Sequence, residues 1–103
     1  MPDPTVRRAD RHDADDIAQL ELLEVEARHA LVGKRGGERW LIEHRLIGAT
    51  WPATCEAADV WVAHIDAVLV GYLVAELGVD HIVRVDQVWV TPEARELGFG
   101  DGL

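Results

Sequence analysis

The sequence predicts an α+β domain in which two helices pack on one mostly antiparallel sheet of four strands. Three observations predict it. Between Ile17 and Leu31 the apolar residues recur at three- and four-residue steps, the period of a single helix face. From Val60 to Val90 the pattern changes to runs rich in Val, Ile, Leu, Trp and Tyr, broken by short turn segments, which is how hairpin strands read. A length of 103 residues supports a single domain, and no repeat, low-complexity tract or linker divides it.

Thr5 to Ala9 reads as a short first strand. Asp10 then offers an N-cap with an acid at Asp13, a variant of the capping box, and Asp13, Asp15 and Asp16 put negative charge where a helix dipole favours it. The first helix is therefore expected from near Arg11 to near Val32. Ile17, Leu20, Leu23, Ala27 and Ala30 or Leu31 form its buried face, and Glu21, Glu24 and Arg28 turn the other way, read as a solvated exterior. Gly33 and the Gly36-Gly37 pair end it in a loop that carries Lys34 and Arg35.

A second helix is expected over Glu38 to Leu46, stopping at Gly48. Ala49 to Asp59, with Pro52, reads as a connection into the sheet. Its Trp51 fits a cover over the edge of the core better than an aromatic wall of a binding pocket. Val60 to Ile65 and Val68 to Leu77 flank the turn Asp66-Ala67 as a hairpin, and Gly71 inside the second run signals a bulge or a close approach. A further turn at Gly78-Val79-Asp80 leads into Ile82 to Val90.

The chemistry concentrates after that last strand. Pro92 stops the ladder, and a loop runs to Gly98 and Gly100, whose backbones can turn sharply and approach a ligand. If a helix starts there, its first amides point outward at the positive end of the dipole and suit a phosphate or pyrophosphate. A Rossmann reading of Gly98, Gly100 and Gly102 fits poorly. That loop follows its strand almost directly and needs an acid about 20 residues further on.

The run Val88-x-Val90-x-Pro92-Glu93-x-Arg95-x-x-Gly98-x-Gly100 resembles the acyl-CoA loop of the GCN5-related N-acetyltransferases (GNAT), whose signature is Arg/Gln-x-x-Gly-x-Gly/Ala after a central strand. The order of strand, two helices and three further strands resembles the N-terminal half of that fold. The resemblance implies acetyl-CoA as co-substrate, with no metal. It also implies that Val88, Trp89 and Val90 hold the pantetheine arm through the strand backbone, and that Arg95, Glu96, Leu97, Gly98, Phe99, Gly100 and Asp101 cradle the pyrophosphate. In relatives the fold continues with a helix, a fifth strand, another helix and two closing strands. This sequence is therefore expected to be a fragment, inactive as a transferase on its own, whose last strand is left as an apolar edge prone to self-association.

The implied reaction moves an acetyl group from CoA sulfur to a primary amine, small or peptidic, which must first lose a proton. Relatives often carry a carboxylate base on this strand. The matching position here is Gln87, which accepts no proton usefully, so Asp86 is the candidate base, although strand alternation points it to the opposite face unless a bulge re-aims it. Arg35, Arg39, Trp40 and Trp51 are candidates for the acceptor site by location, and Tyr72 reads as packing. The loss of the carboxylate leaves a second reading open, a CoA-binding or interaction module without catalysis.

Composition sets bounds on all of this. A formal charge of −9 argues against a nucleic-acid partner, because phosphate neutralisation needs a basic face. It favours a soluble acidic surface, with steering of a cationic substrate as the lesser reading. No run approaches the length of a membrane span, and the charged start from Met1 to Arg11 lacks the apolar core of a signal peptide. Cys55 is alone and fits a reducing cytoplasm, and His12, His29, His44, His64 and His81 lack metal-site spacing.

Overall fold

The computed structural model describes residues 5–95. Its elements run β1 (Thr5–Arg8), α1 (Ala14–Leu31), α2 (Gly37–Glu43), a 3-10 turn (Gly48–Thr50), α3 (Trp51–Ala57), β2 (Asp59–Ile65), β3 (Val68–Leu77), β4 (Val83–Val90) and α4 (Pro92–Arg95). The strands form one sheet in the order β1-β2-β3-β4, with each neighbouring pair antiparallel.

α1 begins later than the sequence suggests. Asp13, not Asp10, is the N-cap, and its carboxylate accepts the backbone N–H groups of Asp15 at 2.9 Å and Asp16 at 3.2 Å. Asp10 instead closes a local turn by accepting from the His12 N–H, the competition with helix that aspartate side chains offer. Asp16, in the first helical turn, is buried and receives both guanidinium nitrogens of Arg7 at 2.8 Å and the Asp10 N–H at 3.0 Å, which ties α1 to β1. Further along, Gln19 bridges to the hairpin turn by donating to the Ala67 carbonyl and accepting the Leu69 N–H.

The main core lies between α1 and the sheet. Leu20 and Leu23 meet Val60, Val62, Leu69, Tyr72 and Val74, with Trp51 at the centre. The ring of Trp51 stands edge-on to Tyr72, with centroids 5.3 Å apart, a pairing worth about 1 kcal/mol beyond the area it buries.

Two expectations for the connecting segment are corrected. The stretch expected as a connection is a 3-10 turn followed by α3, and Pro52 sits in the first turn of that helix, where a proline costs nothing because its missing N–H has no intrahelical partner. Trp51 is not an edge cover but is wholly buried. α2 is also shorter than expected, ending at Glu43, where Arg28 of α1 donates to the carbonyls of His44 at 2.7 Å and Leu41 at 3.2 Å.

Both sheet irregularities fall in the strands nearest the C-terminus. Ala63 faces Gly71 and His64 faces Leu69, so Val70 is an extra residue in β3 beside the glycine that signalled it. Likewise Val74 faces Gln87 and Ala75 faces Val85, which makes Asp86 the extra residue in β4. On the sheet face away from α1, Ala63, Val90 and Ala94 form a second small cluster.

Candidate active site

β4 is one of the two edge strands, and among the described residues nothing pairs with its outer side. Its register decides which backbone groups face outward. Thr91 donates its N–H to Val70 at 2.8 Å, so that pair is hydrogen-bonded. Antiparallel pairs alternate, so the Gly71–Val90 and Leu73–Val88 pairs are of the other kind, with backbone N–H and C=O turned away from β3. The backbones of Val88 and Val90 therefore lie open along the free edge, while that of Trp89 is engaged with Tyr72.

The segment after β4, expected as loop, begins with the helical turn α4. The Thr91 carbonyl accepts the Arg95 N–H at 3.0 Å, and Ala94 packs beneath against Val90 and Ala63. Arg95 lays its guanidinium over the Trp89 ring, 4.6 Å from the centroid. The indole Nε1 of Trp89 is buried and has no partner among the described residues. Glu96, Leu97, Gly98, Phe99, Gly100 and Asp101 lie outside the described residues.

A cleft of about 430 Å³ opens beside this edge. One wall is the stretch of β4 from Val85 to Trp89, and another is formed by Arg35 and Gly36 of the α1–α2 loop with Gly37 and Trp40 of α2. Tyr72 and the α1 residues Ala27 and Leu31 complete it. The glycines that read only as a helix stop shape this loop. Gly33 and Gly36 hold φ of 79° and 77°, in the left-handed region, and a Cβ on Gly37 would come within 2.0 Å of the Leu31 carbonyl oxygen. The end of α1 and the start of α2 thus meet at a distance only glycine permits, and Arg35 is carried at the cleft between them.

The β4 bulge supplies the condition under which Asp86 shares a site with Gln87. Both side chains belong to residues that line the cleft. Asp86 is exposed and has no ion pair among the described residues, and neither does Arg35. Gln87 is fixed, because its Oε1 accepts the hydroxyl of Tyr72 at 3.1 Å. Burial pushes the Tyr72 phenol well above its usual range, and the charge of Glu24 pushes it the same way, so it stays a neutral donor.

Of the acceptor-site candidates, Arg35 and Trp40 line the cleft. Arg39 does not, being exposed and paired to Glu43 at 3.0 Å, and Trp51 belongs to the core. The sequence reading also missed Glu24. It was placed on a solvated face, yet it is wholly buried and accepts the N–H groups of Ile47 at 2.8 Å and Gly48 at 2.9 Å and the indole of Trp51 at 3.1 Å. No periodicity distinguishes it, since its partners arrive from a segment read as irregular. Among the described residues no three His, Cys, Asp or Glu side chains gather as metal ligands.

Helices packed on a four-stranded antiparallel sheet are a fold that this chain shares with GNAT acetyltransferases of known structure. Solved structures agree. A ribosomal-protein-alanine N-acetyltransferase from Brucella melitensis biovar Abortus 2308 superposes with a TM-score of 0.62 at 20% identity, over 98% of this chain and 66% of its own. A protein of Staphylococcus aureus assigned to the GNAT family acetyltransferases gives 0.62 at 13% identity, over 95% of this chain and 82% of its own. An integron cassette protein from the mobile metagenome of V. cholerae gives 0.60 at 14% identity, over 97% and 62%. No protein-family model and no curated protein matches the sequence. The likeness is therefore one of fold, and this chain spans only about two thirds of the first and third structures.

Proposed function

We propose that the chain is the acyl-CoA-binding part of an N-acetyltransferase, with acetyl-CoA along the β4 edge and a primary amine in the adjoining cleft. The observation that carries this reading is the outward-facing backbone of Val88 and Val90 beside that cleft. An extended amide-bearing arm can pair there as an added strand would. The loop from Arg95 to Asp101 takes the pyrophosphate on its amides, and no metal enters the reaction.

In the transfer, the amine nitrogen bonds to the thioester carbonyl carbon, the carbon–sulfur bond breaks, and CoA leaves as its thiol, its sulfur taking up the proton that the nitrogen sheds on becoming an amide. Asp86 is the proposed base for the ammonium proton, directly or through one water. Gln87, immobilised by Tyr72, orients rather than titrates. The cytoplasm is the proposed compartment. No described helix is long and apolar enough to cross a membrane.

Calorimetry with acetyl-CoA tests the reading. In the unsubstituted chain binding is expected, and Gly98→Asp or Gly100→Glu should abolish it, since each puts a side chain and a negative charge where backbone amides meet pyrophosphate. Unchanged affinity in both variants refutes the loop assignment. The second reading, a CoA-binding module without turnover, draws on Gln87 standing where a carboxylate base is expected; it keeps the binding and loses any effect of Asp86→Asn on thiol release.

A further inference from the structure

We infer that the amine taken by the cleft is a small zwitterion, a primary amine that also carries a carboxylate, with Arg35 holding the carboxylate and Asp86 facing the ammonium. The inference rests on the proposed reading of the cleft as the acceptor site and adds the class of acceptor. Arg35 and Asp86 both line this cleft, from different elements, the α1–α2 loop and the β4 bulge, and they form no ion pair with each other or with any other described residue. Two opposite charges kept apart in one cavity complement a ligand with two opposite charges. The cleft lining also includes apolar surface from Leu31, Trp40 and Trp89, which suits a hydrocarbon spacer or side chain.

The backbone sets the positions from which both side chains extend. Arg35 sits between Gly33 and Gly36, each in the left-handed region, with Gly37 packed against the end of α1; Asp86 is where it is because β4 carries one residue more than β3 opposite it. A guanidinium is the side chain suited to a carboxylate, which it grips with two parallel hydrogen bonds. The volume of about 430 Å³ fits a small molecule and not a folded protein surface. The chain as a whole is strongly acidic and by itself favours a bare cation, so a preference for the zwitterion would come from the cleft.

The test compares matched probes, leucine against leucinamide and phenylalanine against phenylalaninamide, titrated into the 103-residue chain with CoA present and followed by NMR shifts. Each carboxylate probe is expected to bind about tenfold more tightly than its amide, because the amide keeps the shape and loses the charge. In Arg35→Gln that ratio should fall to about one, with an unchanged circular dichroism spectrum showing an intact fold. In Asp86→Asn both members of a pair should weaken together. Equal binding within each pair, a ratio that survives Arg35→Gln, or no binding of either zwitterion overturns the inference. Acetyl-CoA titrated into the unsubstituted chain separates the two claims: if it binds while the probes show no preference, the transferase reading stands and the substrate class falls; if it does not bind, both fall.

Discussion

The carboxylate of Glu24 accepts the indole N–H of Trp51 at 3.1 Å, and both side chains are wholly buried. The same carboxylate holds the N–H groups of Ile47 and Gly48, so a residue in the middle of α1 anchors the turn that leads into α3. Glu24→Leu would leave the buried Trp51 indole without an acceptor, at about 1–3 kcal/mol, and the half-buried N–H groups of Ile47 and Gly48 likewise at a smaller cost, and should lower stability by about 3 kcal/mol. Glu24→Gln keeps one accepting oxygen and should cost less. Urea denaturation of both variants checks the order, and a Glu24→Leu midpoint equal to that of the unsubstituted chain would show that the carboxylate anchors nothing.

This pair also marks the limit of what the sequence conveys. The helix face of α1 and the strands β2 and β3 were legible because their apolar periods, about 3.6 and 2 residues, are local properties of the chain. Gly71 announced the bulge at Val70 for the same reason. Glu24 was illegible because a glutamate on a polar helix face looks the same whether its partners are water or a distant turn. α3 was hidden by Pro52, which reads as a breaker unless the helix is known to start just before it. In the site, the strand carrying Val88 and Val90 was within reach of the sequence, whereas the bulge at Asp86 was named only as the condition under which that residue would change face, and no residue of β4 announced it. The glycines around Arg35 were read as punctuation. Their role in bringing α1 and α2 together over a cleft depends on a contact, Gly37 on Leu31, that the sequence pattern does not contain.

Tyr72 is the single tyrosine of the chain, so its ionisation can be followed by ultraviolet absorbance without interference. Burial, and then the nearby charge of Glu24, raise its folded-state pKa above the unfolded value of about 10. The folded protein should show no phenolate at about pH 11, whereas the urea-unfolded chain titrates near 10. The sign for stability follows from the raised value. The contribution is fully present below the unfolded pKa and is lost as pH rises from there toward the folded one. A folded-state titration near pH 10 would contradict the burial.

Asp16 shifts in the opposite sense. Its paired hydrogen bonds to Arg7, first, and the Asp10 N–H hold its pKa below the usual carboxylate value against the opposing effect of burial. A depressed folded value means that the contribution is present above the unfolded pKa of about 3.9 and disappears as pH falls through the folded one. Asp16→Asn should cost about 2 kcal/mol at neutral pH, a figure reduced for the partial exposure of Arg7. The gap between the variant and the unsubstituted chain should then narrow below about pH 4. Denaturation midpoints at several pH values test this, and a gap independent of pH would assign the effect to packing instead.

The free edge of β4 leads to the last expectation. Val83, Val85 and Val88 are each more than half exposed, at 62%, 55% and 55%, on a strand whose outer backbone groups have no partner among the described residues. Such an edge invites pairing with a second copy, and natural sheets guard against it by placing a lysine there. The 103-residue chain is therefore expected to self-associate as its concentration rises. Val83→Lys should shift that association to about tenfold higher concentration, because pairing two edges would then bring like charges together in poorly solvated surroundings. Val83 lies outside the cleft lining, so the substitution leaves the proposed acceptor site untouched. Sedimentation velocity over a concentration series reads the result. A chain that stays monomeric throughout, or that associates equally with and without the lysine, would place the contact somewhere other than β4.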